Sequence, residues 1–340
     1  MWEMTFCLGG FMNIGILGTG NIARTMARTL SQMNDARLLA IGSRSMDKAE
    51  SFGKEFCVER AYGSYQELAV DNDLDLVYIA SPHSHHMEHA LLCLNAGRNI
   101  LCEKAFMVNA GQAEKVLGLA REKNLFVAEA IWPRYLPMRR MISDEIDNGI
   151  IGKVRMVRCC LGHPIGEVPR IKNPELAGGA LLDITVYPIN FSLMVLGEHP
   201  KTITSQVVFN STGMDYYENI CFKYDDGAIA DIVGTCNMRM ENDGFIYGDD
   251  GYMKVRNLNN PEWFEVYDKK GSLVKKMERP QQISGYEYEV LACMEALREG
   301  KSECPQMSHE ASLNVMRIMD GLRKSWGMKY PFEKQEGWND

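Results

Sequence analysis

The stretch GGALLDITVYP, residues 178 to 188, places a carboxylate, Asp183, four positions before a phenol, Tyr187, behind two glycines and among apolar side chains. Groups that can hold or move a proton in apolar surroundings do chemistry or are satisfied members of a core. On the structural reading, Asp183 caps a helix N-terminus and Tyr187 buries its ring with its hydroxyl paired. Pro188 complicates both readings. Proline is tolerated at the first position of a helix and disrupts its interior, so Asp183 and Tyr187 need not share a regular helix face.

Earlier in the chain, MNIGILGTGNIARTMARTL reads as a short apolar strand, a glycine turn and a helix that turns Ile22, Met26 and Leu30 inward. The turn is Gly18-Thr19-Gly20-Asn21-Ile22-Ala23. In a G-x-G-x-x-A pattern the first glycine allows the tight turn and the second lets the backbone approach a pyrophosphate. The small third residue lets helix and strand pack, and the free N–H groups of the helix start face the phosphates. The next strand, ARLLAIGSRS, ends where an NAD-binding fold usually presents an acid to the ribose. Here that place holds Ser43, Arg44 and Ser45, with no Asp or Glu between Asp35 and Asp47. An arginine flanked by hydroxyls suits a 2′-phosphate, which favours NADP and leaves NAD possible.

The strand LDLVYIASP, the segment HSHHMEHALLCLNAG and the strand NILCEKA continue the alternation of a doubly wound parallel sheet, whose ligands lie at the carboxyl ends of strands. Ser81, His83, Glu103 and Lys104 fall at such ends. His85 and His89 share a helix face, but no other group has a matching ligand spacing, so no metal is expected. His83 or His86 can instead contact a nicotinamide or cap the helix.

At 340 residues the chain is long enough for two domains, and its 46% hydrophobic and 24% charged content is that of a globular protein. A net charge of -8 with no long basic run argues against nucleic acid as a partner. No apolar run of membrane-span character stands out, so no membrane partner is expected. Ten cysteines include no C-x-x-C pair and no cleavable signal precedes them, which points to reduced thiols and a cytoplasmic protein. Residues 1–11 read as an extension outside the fold, with Met12 a natural start.

Taken in order, the glycine turn, ASPHSHH, CEKA, AEAIWPRYLP and PELAGGALLDITVYP resemble the Gfo/Idh/MocA oxidoreductase family. Within it they are most similar to the branch of dimeric dihydrodiol dehydrogenases and NADP-dependent D-xylose dehydrogenases. The resemblance implies an α/β chain: a Rossmann domain over 12–131, then a domain over 132–340 built on an open, mostly antiparallel sheet. It also implies that the last helix can pack back on the first domain and that the open sheet mediates a homodimer or homotetramer. KTITSQVVF, ENICFKY, AIADIVGTCNM, GFIYGDDGYMKV and EWFEVYD read as strands that agree with this.

The resemblance further implies that Lys104, from the family's Glu-Lys-Pro motif, sits beside nicotinamide and substrate; Ala105 replaces the usual proline here. It makes Tyr187 the acid/base group, in the place of the family's Asp-x-x-x-His histidine. A phenol of pKa ~10 would need help at neutral pH, which the Lys104 ammonium is expected to give by lowering it. Asp183 is expected to orient the lysine or the substrate hydroxyl. Trp132, Arg134 and Arg170 are placed near the cofactor. The expected activity is hydride exchange between NADP and a hydroxyl of a sugar, cyclic polyol or trans-dihydrodiol. An NAD-retaining glycosidase of the same family and a non-catalytic NADP-binding sensor are the competing readings. The first would show bound cofactor without net reduction, and the second has no need of a proton acceptor.

Overall fold

A computed structural model describes residues 11–335; the expected extension therefore lies, but for Phe11, outside the described residues. The chain begins with β1 (Met12–Leu17), α1 (Asn21–Leu30), β2 (Ala36–Gly42), α2 (Met46–Phe56), β3 (Arg60–Tyr62), α3 (Tyr65–Ala69) and β4 (Leu76–Ile79). It continues with α4 (His86–Asn95), β5 (Ile100–Glu103), α5 (Ala110–Lys123) and β6 (Val127–Ala130). The six strands form one parallel sheet in the order β3-β2-β1-β4-β5-β6. Strands covered on both faces by helices have no polar side to alternate with, so β4, β5 and β6 are buried at every residue. The strand order reverses between β1 and β4, the crevice where such sheets take their ligands.

After a crossover through Trp132–Arg134 come α6 (Pro137–Asp147), β7 (Val154–Gly162), α7 (Pro169–Lys172), a π-helical turn over Leu181–Thr185 and α8 (Val186–Leu196). Seven further strands follow: β8 (Thr202–Phe209), β9 (Asp215–Lys223), β10 (Ile229–Thr235), β11 (Gly244–Gly248), β12 (Gly251–Arg256), β13 (Trp263–Asp268) and β14 (Leu273–Glu278). Together with β7 they make an eight-stranded sheet, β14-β13-β12-β11-β7-β10-β9-β8, antiparallel except where β10 runs beside β7. The buried helix α8 packs on β7 and β10 and covers one face. On the other face Phe245, Tyr247, Tyr252 and Tyr267 stack in a row, with ring centroids 4.7 to 6.1 Å apart.

The stretch Pro174–Leu196 is long and apolar enough to cross a membrane, with a hydropathy of 1.5, but 83% of that window is buried inside the protein. Its composition is that of a core element wedged between sheet and site.

Finally α9 (Glu287–Arg298) and α10 (His309–Ser325) return the chain to the first domain. Asp320 Oδ2 accepts from the N–H of Ala110 at the start of α5, at 2.8 Å. Arg323 and Glu333, both fully buried, pair at 2.7 Å, and Glu333 also accepts from Asn109 Nδ2 at 2.9 Å. A buried guanidinium with this many partners is a clamp between the domains rather than a liability.

Candidate active site

Gly18 has φ +112°, and a Cβ there would lie 2.8 Å from the carbonyl oxygen of Ala80, so only glycine fits. Gly20 differs: its φ is ordinary, and a Cβ would enter open space in front of α1. No side chain caps α1, which leaves its first N–H groups free to meet phosphates. Thr19, Asn21 and Ile22 are all at least partly exposed around this opening. At the end of β2, Ser43 is buried, whereas Arg44 is exposed and stands beside the Tyr65 hydroxyl. The cradle therefore fits a dinucleotide, with Arg44 rather than Ser43 available for a group on its ribose.

Beyond β4 the histidines act as braces. His86, fully buried, turns Nδ1 to the carbonyls of Ala105 and Phe106 at 3.0 and 3.1 Å and Nε2 to that of Ser81 at 2.9 Å. This corrects the expectation that His86 meets a nicotinamide, since both nitrogens are spent on backbone. His89 Nδ1 meets Ser81 Oγ at 2.8 Å. His83 lies between the carbonyls of Ala177 and Lys104, each 3.2 Å from a ring nitrogen. Burial, with His86 and Lys104 adding to it, pushes its pKa down to about 3, so the ring is neutral and donates to one carbonyl at a time.

Lys104 follows β5, and its peptide bond to Ala105 is cis. Its ammonium donates to the Asp183 carbonyl at 2.7 Å and to Asp183 Oδ1 at 3.1 Å, and lies 4.9 Å from the centre of the Tyr187 ring. In the π register the Asp183 carbonyl would look to residue 188, a proline without an N–H, and Lys104 occupies that oxygen instead. Arg170 reaches the same carboxylate, with Nη1 2.6 Å from Oδ1. Burial opposes ionisation of Asp183, yet the Lys104 and Arg170 cations hold its carboxyl well below the usual range. Arg170 thus serves Asp183 rather than a cofactor.

Tyr187 reverses one expectation. Burial, then the carboxylates of Glu103 and Asp183, push its phenol well above the usual value. Lys104 stands over the ring, 4.9 Å from its centre, and the phenol stays raised even so. The phenol is neutral, a proton donor as the site stands.

Glu103 sits behind Lys104. Its oxygens accept from Tyr78 Oη and, at 3.1 Å, from the N–H of Lys104, and burial pushes its pKa up to about 7. Being spent in this way, it supports the lysine instead of reaching a cofactor. Trp132 stacks on Tyr286 with centroids 4.4 Å apart and planes 4° from parallel, and its buried indole Nε1 has no hydrogen-bond partner among the described residues.

Arg134 is a further correction. It is 3% exposed, with Nε 2.6 Å from Asn190 Oδ1 and Nη1 and Nη2 2.7 and 3.3 Å from the Glu198 carboxylate. It ties α8 in place within the second domain and is not offered to a cofactor.

The double glycine is explained by two contacts that sequence reasoning missed. Gly179 has φ +107°, and a side chain there would strike Asp215, which accepts from the N–H of Leu181. At Gly178 a Cβ would lie 2.2 Å from the Ile171 carbonyl oxygen, which only glycine avoids, and the Gly178 carbonyl accepts from Tyr330 Oη at 2.7 Å. Tyr78, Asp215 and Tyr330 gave no signal of their own beyond a polar tip in a buried segment.

A glycine cradle at a switch point, with a lysine, a carboxylate and a phenol gathered at its edge, defines a dinucleotide-dependent oxidoreductase. Residues 12–130 match the Gfo/Idh/MocA oxidoreductase family, NAD-binding Rossmann fold, and residues 140–254 match the C-terminal domain of that family. The chain belongs to the Gfo/Idh/MocA oxidoreductase family. The trans-1,2-dihydrobenzene-1,2-diol dehydrogenase of Xenopus tropicalis is 33% identical over 325 residues, covering 93% of this chain and 98% of the relative. The human enzyme of the same name is 29% identical over 337 residues, covering 94% and 98%. Among solved structures, a 3-ketoreductase from Actinomadura kijaniata in complex with NADP and TDP-benzene superposes with a TM-score of 0.85 at 24% identity, over 93% of this chain and 98% of that one. An aldose-aldose oxidoreductase from Caulobacter crescentus gives a TM-score of 0.84 at 19% identity, over 93% and 97%. These structural likenesses establish a shared fold.

Proposed function

We propose that the protein is an NADP-dependent dehydrogenase that interconverts a secondary hydroxyl and a carbonyl on a sugar, cyclic polyol or trans-dihydrodiol, with Tyr187 as acid/base group. The observation that carries this reading is the meeting of Lys104, Asp183 and Tyr187 at the carboxyl end of β5, beside the glycine cradle. When bound, the nicotinamide supplies the hydride acceptor or donor.

In the reducing direction the neutral phenol of Tyr187 gives its proton to the nascent alkoxide; in the oxidising direction it must lose that proton before taking the one on the substrate hydroxyl. Asp183 holds Lys104 over the Tyr187 ring, and Arg170 holds Asp183. The flat Trp132–Tyr286 pair supports a ring-shaped substrate beside the phenol. Arg44 supports NADP over NAD through its charge and exposure. The relatives named as dihydrodiol dehydrogenases support a diol on a ring. In the same reading the protein is cytoplasmic, and it forms a homodimer or homotetramer through the outer face of the second sheet, with its aromatic row.

The test is initial-rate assay of NADP reduction across aldopyranoses, cyclic polyols and trans-dihydrodiols. Turnover on one of these classes with NADP supports the reading. Tight NADPH binding with no turnover on any of them overturns it in favour of a glycosidase or a sensor.

A further inference from the structure

Away from the cradle, a cavity of about 190 Å³ opens where the crossover into α6, the end of α8 and the first turns of α10 meet. Arg134, Arg139, Glu198, His199, Gln306 and Asn314 are among its walls. Two guanidinium groups and two carboxylates stand on those walls, but they are not paired one to one. Arg134 takes both oxygens of Glu198, and Glu310, at the rim, turns to Arg317 at 3.2 Å. That leaves Arg139, whose Nε is sealed from solvent without a partner and whose guanidinium makes no hydrogen bond or ion pair among the described residues. Gln306 Oε1 is a second sealed atom without a partner on the same walls. Asn314 Nδ2 is already given to the Glu198 carbonyl, at 2.5 Å.

The two buried arginines are each matched by carboxylates, Arg134 by Glu198 and Arg323 by Glu333 and Asp320. A half-buried guanidinium without one costs free energy that an anion would recover, and its planar fork matches two oxygens of a carboxylate or phosphate. An unmet carbonyl such as Gln306 Oε1 calls for a donor, which a hydroxyl provides. The space is below the ~300 Å³ at which pockets for drug-sized ligands begin, so the occupant is small.

We infer that this cavity is a binding site for a small hydroxyl-bearing oxyanion, hydrogen phosphate or a hydroxycarboxylate, gripped by Arg139 with Gln306 as its second contact. The site is separate from the substrate site and does not depend on the activity proposed above. Its neighbour Arg134 reaches Asn190, three residues past Tyr187 on α8, so an anion here abuts the helix that carries the phenol.

The experiment is thermal unfolding of protein saturated with NADPH or, separately, NADH, which fills the pyrophosphate cradle, titrated with inorganic phosphate and in parallel with lactate. Ligands that bind only the native state raise Tm in a saturable way. The expected result is a saturable rise with phosphate or with lactate in the wild type, no saturable rise in Arg139→Gln, and a weakened one in Arg139→Lys. Whichever anion produces the rise identifies the source. Arg139→Gln should have a Tm at or above that of the wild type without anion, because the unpaired guanidinium it removes costs stability. A rise of equal size in wild type and Arg139→Gln reflects general salt stabilisation and overturns the site, as does the lack of a saturable rise with either anion. If Arg139→Gln fails to fold, Arg139→Lys with Gln306→Leu carries the same comparison.

Discussion

Lys104 meets Tyr187 through the face of the ring: its ammonium stands 4.9 Å from the ring centre while its hydrogen bonds go to Asp183. The lysine is thereby held in place, and the Tyr187 phenol, raised well above its usual pKa, rests in its protonated form.

Replacing Tyr187 with Phe removes the proton-transfer group and little else, because the ring stays where the Lys104 cation can lie over it. The expected loss in kcat is ~10²–10⁴-fold, the usual worth of a positioned acid or base. Dinucleotide affinity, followed by quenching of protein fluorescence, should be unchanged. A variant that keeps more than a tenth of the wild-type kcat would remove Tyr187 from its role.

The pH profile follows from the direction of the Tyr187 shift. A phenol held well above its usual pKa is protonated throughout the neutral range, so reduction should be level across it while oxidation climbs as pH rises. Glu103, with its pKa near 7, is one of the charges holding the phenol up. Glu103→Gln should therefore move the oxidative profile to lower pH. Log kcat against pH for both forms decides it, and a shift to higher pH would contradict the assignment.

Arg44 should discriminate between cofactors. Its charge-assisted bonds to a 2′-phosphate are worth about 1.5–3 kcal/mol, so Arg44→Ala should raise KM for NADP roughly tenfold to a hundredfold and leave KM for NAD almost unchanged. Equal changes with both cofactors would mean that Arg44 does not read the phosphate.

Arg134→Leu tests a structural role. Removing the arginine strands the Glu198 carboxylate against the cavity wall, with an expected cost of about 3 kcal/mol of stability. Denaturant unfolding should show the loss while KM for the cofactor stays at its wild-type value. A raised cofactor KM with unchanged stability would restore the arginine to the nucleotide site.

Four strands of the parallel sheet, β1, β2, β4 and β5, are legible because they are short, aliphatic and punctuated by glycine; β3, RAY, and β6, VAEA, are too short and too mixed in type to stand out. The second sheet was legible in part. β7 was missed although it lies at the centre of that sheet. Tyr247 pairs with Met156 and Gly248 with Val154, which leaves Arg155 as an extra residue in a bulge, so the inside-outside alternation breaks between Arg155 and Arg158. β14, LVKKME, is an edge strand whose exposed lysines and glutamate mask its pattern. In the site, motif order located Lys104, Asp183 and Tyr187, but side-chain type could not distinguish a ligand contact from a brace. His86 and Arg134 are committed to partners as far as 20 and 64 residues away, and the distance of a partner along the chain leaves no trace in local sequence.

The hydrogen bond from Tyr330 to the Gly178 carbonyl spans 152 residues. During synthesis the cradle, the lysine and the phenol all leave the ribosome long before the tyrosine that pins the double-glycine loop beside them. A chain still being translated can form its nucleotide fold early, yet the double-glycine loop is secured only once α10 and Tyr330 behind it have docked, so that loop is set late, by a part of the chain far from it in sequence.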